Sequence, residues 1–267
     1  MIDLHTHILP AIDDGSDSLE TSLAMARIAV EDGITVMACT PHIYPGLYMN
    51  DSPGIHAERN KLQGALDTYR IPLKLVVGAD AHLVPELLDG LKTGRVPTLH
   101  GSRYFLLEPS HHVAPPHFEQ SVFETMAAGF QPVLTHPERL VWIEQHYDTF
   151  VALAHRGVWM QITAAAVLGK FGRRARYWSE RMLDEGLVHI LASDAHTTSM
   201  RSPRMAEAVE RVASRIGREE ALRQVLARPQ AILDNLDPAS VPPPPGLRGD
   251  DAPPPRPKAW LQRFFGG

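Results

Sequence analysis

The sequence predicts an α/β fold in which seven parallel strands alternate with helices, a TIM-like (β/α)7 arrangement. Three observations predict it. Seven short apolar runs recur along the chain, at 2–4, 34–39, 73–77, 104–107, 132–135, 158–162 and 188–192, and uninterrupted apolar strands belong to parallel sheets covered on both faces. Stretches of helical periodicity separate them. Six of the seven runs deliver a metal-capable residue at or just past their C-terminal ends, where barrels of this kind carry their chemistry.

Taken in order, the run 2–4 enters His5-Thr6-His7. Asp17 and Glu20 form a capping pair for the first helix, Leu19, Leu23, Ala26 and Val30 make one apolar stripe, and Gly33 stops it. Residues 34–39 run through Thr40-Pro41 into His42, and a helix is expected over about 55–69. The third run leads to Asp80, the fourth to Glu108 and the fifth to His136, with helices near 116–128 and 147–156. The run 158–162 ends in Thr163 and delivers no ligand. A helix near 175–185 precedes the last run, which leads to Asp194 and His196, and a helix over about 202–216 follows.

On an extended strand, residues two apart face the same side, so His5 and His7 can grip one ion with both imidazoles. Asp194-Ala195-His196 can send a carboxylate and an imidazole to neighbouring ions by the same spacing. Structural zinc usually relies on paired cysteines, whereas a His/Asp/Glu set favours hydrolytic metals with open positions. Singly, each residue has an ordinary reading: Asp14 between Asp13 and Gly15 as a turn former, His42 and His136 as loop histidines beside prolines, Glu108 as a solvated strand end. Independent surface residues have no reason to fall at six strand ends, and jointly they read as a metal site.

One catalytic domain over residues 1–236 is expected. A net charge of −5 and a pI near 6.3 argue against a nucleic-acid surface. No run is long enough to span a bilayer, and no basic-then-apolar leader precedes the first strand, so a cytoplasmic location is expected. The one cysteine, Cys39, lies inside an apolar run and reads as core. Residues 237–267 are proline-rich and read as an extended, mobile tail. Its end carries Trp260, Leu261, Phe264 and Phe265, which can share one face of a short helix.

The opening segment 1–15 with its Asp13-Asp14-Gly15, together with Thr40-Pro41-His42, His136-Pro137-Glu138-Arg139 and Ser193-Asp194-Ala195-His196, resembles the polymerase and histidinol phosphatase (PHP) superfamily. Within it the match is to the bacterial capsular and exopolysaccharide tyrosine-phosphatase branch, over about residues 1–236. The resemblance implies a distorted seven-stranded barrel with three divalent ions, usually manganese. The substrate it implies is phosphotyrosine on a polysaccharide-export tyrosine kinase, met at the inner face of the membrane. It also implies that His5, His7 and Asp194 hold one ion, that Asp80 bridges it to a second completed by Glu108 and His136, and that Asp14, His42 and His196 hold a third. Arg139 and Arg201 match positions that clamp phosphate; no general acid is obvious, and His196 is a candidate only where it is not fully committed to metal. The branch has glutamate where this chain has Asp80; aspartate is one methylene shorter, so the bridge would be closer, monodentate or shifted, with His82 placed to compensate. His100, His111, His112, His117, His146, His155 and His189 match no ligand position and are expected in surface or core roles.

The charges are consistent with three ions. Four carboxylates against three divalent cations leave about +2, which a phosphate dianion neutralises. Two of the ions would share a hydroxide for in-line attack on phosphorus. A cysteine-dependent phosphatase is excluded, because Cys-x5-Arg would need arginine where Pro45 stands. An amidohydrolase would place a bridging lysine where Glu108 stands. A small phosphomonoesterase of the histidinol phosphate kind and a non-catalytic interaction module remain as alternatives.

Overall fold

The computed structural model describes residues 1–249. All seven expected strands form: β1 (Ile2–Thr6), β2 (Val36–Cys39), β5 (Lys74–Val77), β7 (Tyr104–Glu108), β8 (Gln131–Thr135), β9 (Trp159–Thr163) and β10 (Ile190–Ala192). Three short strands were not anticipated, namely β3 (His42–Tyr44), β4 (Tyr48–Met49) and β6 (Asp80–His82). Thr40-Pro41 and Gly78-Ala79 interrupt two runs, so β3 continues β2 and β6 continues β5. The result is a mixed α/β fold with a three-stranded sheet, β1-β2-β5, and a seven-stranded one, β10-β9-β8-β7-β6-β3-β4. Every pairing is parallel except β3 with β4.

Strand alternation sorts the apolar side chains into two layers. Leu4, Ala38, Val76, Leu106, Val133, Trp159 and Ile190, one or more from each of the seven runs, share a single inner cluster. Their neighbours Met37, Leu75, Leu107, Leu134, Met160 and Leu191 face the helices. Strands buried on both faces are what the unbroken apolar runs require. Beyond β10 the chain meets β1: Thr6 bridges Ala195 in parallel, Asp194 N donates to His5 O and His7 N to Ala195 O. The C-terminal ends of the first and last strands therefore lie side by side.

The first helix spans Leu19–Glu31 and is capped by Ser18, whose hydroxyl accepts from Thr21 N, with Asp17 instead accepting from the Thr21 hydroxyl. Leu19 faces solvent and does not join the stripe. Residues 238–249, assigned to the tail on composition, run along the body. Val241 is buried, and Pro242 O accepts from the buried Arg228, whose charge is paired with Glu220. Gly246 N donates to Gly186 O, in a contact so close that a Cβ on Gly246 would lie 1.9 Å from Glu185 O. Proline gives extended backbone without N–H groups, and its free carbonyl here serves a buried guanidinium. Residues 250–267, including Trp260, Phe264 and Phe265, lie outside the described residues. No helix among the described residues is long and apolar enough to cross a membrane.

Candidate metal centre

Adjacent strand ends bring all nine expected ligands together. His5 and His7 come from β1, Asp14 from the turn after it, His42 from β3, Asp80 from β6 and Glu108 from β7; His136 follows β8, and Asp194 and His196 follow β10. His136 and Asp194 adopt left-handed backbone, with φ of 34° and 51°. Non-glycine residues there cost about 1–2 kcal/mol each, so the surroundings impose the turn that aims both side chains inward. His5, His7, Asp80, His136, Asp194 and His196 are buried.

The spacing of donor atoms is informative. His5 Nε2 lies 3.3 Å from His7 Nε2 and from Asp80 Oδ2, and Asp194 Oδ1 lies 3.4 Å from both imidazoles. Asp14 Oδ1 lies 3.4 Å from His42 Nε2 and His196 Nε2. These separations are long for charge-assisted hydrogen bonds, which run about 2.7–2.9 Å. They equal the edges of a coordination polyhedron: ligands about 2.1 Å from one ion sit about 3.0–3.4 Å apart. Among the described residues, both oxygens of Asp80, which is fully buried, lack any hydrogen-bond partner, as does His196 Nε2. A buried carboxylate without a partner costs on the order of 3–5 kcal/mol. A cation among these atoms removes that cost, and the donor set suits a divalent ion.

Electrostatics agree. Burial opposes charge on His5, yet Asp80 and Asp194 raise it to about 9; His42, opposed likewise by burial, is raised to about 11 beside Asp14 and Glu108. Burial works against ionised Asp194 as well, but His5, Arg201 and Arg139 hold it well below the usual carboxylate range. Around His5 and His42 the site therefore stabilises positive charge. Burial and then His7 depress His196 to about 4, leaving a neutral imidazole fit for a ligand and poorly suited to donate a proton near neutrality.

A family model described as capsular polysaccharide synthesis, CpsB/CapC, matches residues 1–234. The chain belongs to the CpsB/CapC family. This CpsB/CapC chain is 34% identical over 220 residues to tyrosine-protein phosphatase YwqE of Bacillus subtilis, covering 82% of this chain and 86% of the relative. It is 29% identical over 240 residues to tyrosine-protein phosphatase CpsB of Streptococcus pneumoniae, covering 87% and 98%. A crystal structure from work on YwqE of Bacillus subtilis and CpsB of Streptococcus pneumoniae, described as unique metal-dependent tyrosine phosphatases, superposes with a TM-score of 0.85 at 31% identity, over 89% of this chain and 96% of that one. Dihydropyrimidinase from Brevibacillus agri shares the fold alone, with a TM-score of 0.54 at 10% identity over 88% of this chain and 70% of that one.

Several residues of this CpsB/CapC site escaped sequence reasoning. His7 Nδ1 lies 2.7 Å from Asp13 Oδ2, and His5 Nδ1 lies 2.8 Å from Gln161 Oε1. Such partners fix ring orientation and tautomer. Asp13 was quoted only within the Asp13-Asp14-Gly15 motif and given no role, and Gln161 comes from β9, the strand expected to deliver no ligand; a lone amide in an apolar run was its signal. Glu138, quoted within His-Pro-Glu-Arg but given no role, is buried and accepts from both the backbone N and the hydroxyl of Thr163, which fixes the turn after His136. His111, expected in a surface or core role, instead places Nε2 3.1 Å from Glu108 Oε1. His82 does not reach toward Asp80 but meets Glu108 Oε2 at 3.2 Å and stacks on Tyr44.

The cluster floors a cavity of about 380 Å³ walled in part by Tyr44, Tyr48, Arg139 and Arg201. Pro115 and Pro116 line a separate groove with Leu83 and Val84. Exposed Tyr44, Leu47, Met49, Val113, Val141 and Met200 all lie on segments following the C-terminal strand ends. Arg139 and Arg201 both donate to Asp194 Oδ2, while Asp194 Oδ1 faces His5 and His7. Each arginine alone still anchors that oxygen. Arg139→Ala and Arg201→Ala are therefore expected to lower kcat/KM roughly ten- to a thousandfold with metal content retained, as for loss of a charge-assisted contact worth about 1.5–4 kcal/mol. Kinetics with elemental analysis check this; metal loss as complete as in His7→Ala would refute it.

Proposed function

We propose that this chain is a metal-dependent protein-tyrosine phosphatase acting on a polysaccharide-export tyrosine kinase in the cytoplasm, at the inner face of the membrane. The observation that carries it is Asp80, fully buried with both oxygens unpartnered among the described residues and set between His5, His42 and His136, the last two of which line an aromatic-walled cavity. The names of the relatives supply the substrate class. We read the strand order, joined by the contacts of Thr6 and Asp194, as the distorted seven-stranded barrel of the PHP fold.

Three ions are proposed. His5, His7 and Asp194 would hold the first, Asp80 with Glu108 and His136 the second, and Asp14, His42 and His196 the third. Manganese follows from the family resemblance, and the donor set also accepts iron, zinc or cobalt. When bound, the ions supply a hydroxide nucleophile at neutral pH and positive charge toward the phosphoryl oxygens. Arg139 and Arg201, already converging on one carboxylate oxygen, present guanidinium N–H groups for the equatorial phosphate oxygens, a task suited to their planar fork. Stacking of Arg139 on Phe171, 4.6 Å from the ring centre, holds its plane. Tyr44 and Tyr48 offer faces to the substrate ring. A phenol leaving group, with pKa near 10, departs with little protonation, so His196 acts as ligand and no dedicated acid is required.

Substrate choice tests the reading. Phosphotyrosine reaches a recessed cluster that phosphoserine and phosphothreonine do not. Matched peptides of the three kinds, assayed beside histidinol phosphate, are expected to show at least about tenfold preference for phosphotyrosine, near 1.4 kcal/mol in transition-state binding. Equal turnover of the peptides would remove the tyrosine assignment, and preference for histidinol phosphate would favour a small-molecule phosphomonoesterase.

A further inference from the structure

We propose that His111 is a tenth protein ligand, joining Glu108 and His136 on one divalent ion; this rests on the metal-centre reading above. Glu108 Oε1 is approached by two imidazoles, His111 Nε2 at 3.1 Å and His136 Nε2 at 3.6 Å. The ring centres of the two histidines are 4.8 Å apart, and one donor atom from each of the three residues lies within 4.8 Å of the others. The two separations from Glu108 Oε1 bracket the 3.3–3.4 Å spacings between other donor pairs of the centre. The far nitrogen of the buried His136, Nδ1, has no partner among the described residues, whereas Gln161 and Asp13 fix the rings of His5 and His7. Orientation of His136 then falls to its donor atom, its backbone and its neighbours.

His111 is held where a ligand needs to be held. Trp142 Nε1 donates to Ser110 O at 2.8 Å, and Val141 N donates to His111 O at 3.0 Å. The loop after β7 is thereby tied to the segment just after His136, so both imidazoles ride on one connected piece of backbone. Addition of a second nitrogen gives the ion that Asp80, Glu108 and His136 share a mixed nitrogen and carboxylate set. Imidazole raises affinity for cobalt and zinc more than for manganese. With His111 that ion has two imidazoles, as the first has in His5 and His7 and the third in His42 and His196, so loss of His111 leaves it the ion with the fewest nitrogen ligands.

The test uses the full chain loaded with cobalt(II), titrated against a chromogenic chelator while its visible d–d spectrum is recorded. His111→Ala and His111→Gln are both expected to weaken one class of bound ion by about a hundredfold or more and to change the d–d bands. Glutamine can still donate to Glu108, so it separates ligation from support. Removal of a merely supporting contact costs about 10- to 100-fold and should be rescued by a conservative donor. A His111→Gln protein within about threefold of the native affinity, or either variant with an unchanged spectrum, overturns the assignment. A native chain that takes up no cobalt sinks the metal centre itself together with this inference.

Discussion

Chelation of the divalent ions is expected to lower turnover of a phosphotyrosine peptide by more than about a thousandfold, with recovery on adding manganese. Charge stabilisation by metal is worth several kcal/mol in phosphoryl transfer, and the nucleophile is lost with it. His7→Ala should behave like the chelated protein, because His7 Nε2 faces both His5 and Asp194. Cys39→Ser should keep most of the activity. Cys39 is fully buried in β2, burial pushes its thiol far up, and it lies in the layer facing the helices. Loss of activity in folded, metal-replete Cys39→Ser would refute the thiol-independent chemistry.

Gly15→Ala is expected to reduce metal binding and kcat/KM by about a hundredfold or more. A Cβ at position 15 would lie 2.2 Å from His7 O and 2.4 Å from His7 Cβ. Neither atom can give way: the His7 carbonyl accepts from Ser16 N, and its backbone N donates to Ala195 O. The strain therefore passes to the His7 imidazole, and a displacement near 1 Å in a positioned group costs about a hundredfold. Overpacking adds about 1–3 kcal/mol of instability. Metal titration and thermal melting together check this. Native-like metal affinity in Gly15→Ala would show that the turn relaxes without moving His7.

The seven strands were legible because burial on both faces leaves unbroken apolar runs, and six of those runs announce their ends with a ligand. The short strands β3, β4 and β6 were not, since a proline or a glycine breaks the run and two or three residues carry no period. Ser18 and Asp17 compete as caps, and only backbone conformation decides between them. Asp13, Gln161 and Glu138 were hidden for a different reason: they act on other side chains, through pairings distant in sequence. The approach of His111 to Glu108 was hidden because it depends on the course of the loop after β7. Residues 238–249 were misread because composition predicts their extended backbone but not that Arg228 and Gly186 receive it.

The bonds from Asp13 to His7 and from Gln161 to His5, and the junction of Thr6 with Ala195, are all made by protein groups alone. Each of the two side-chain bonds takes up Nδ1 of a ring whose Nε2 faces Asp194. The nitrogen that each imidazole offers to an ion is thereby selected by Asp13 and Gln161, residues outside the ligand set.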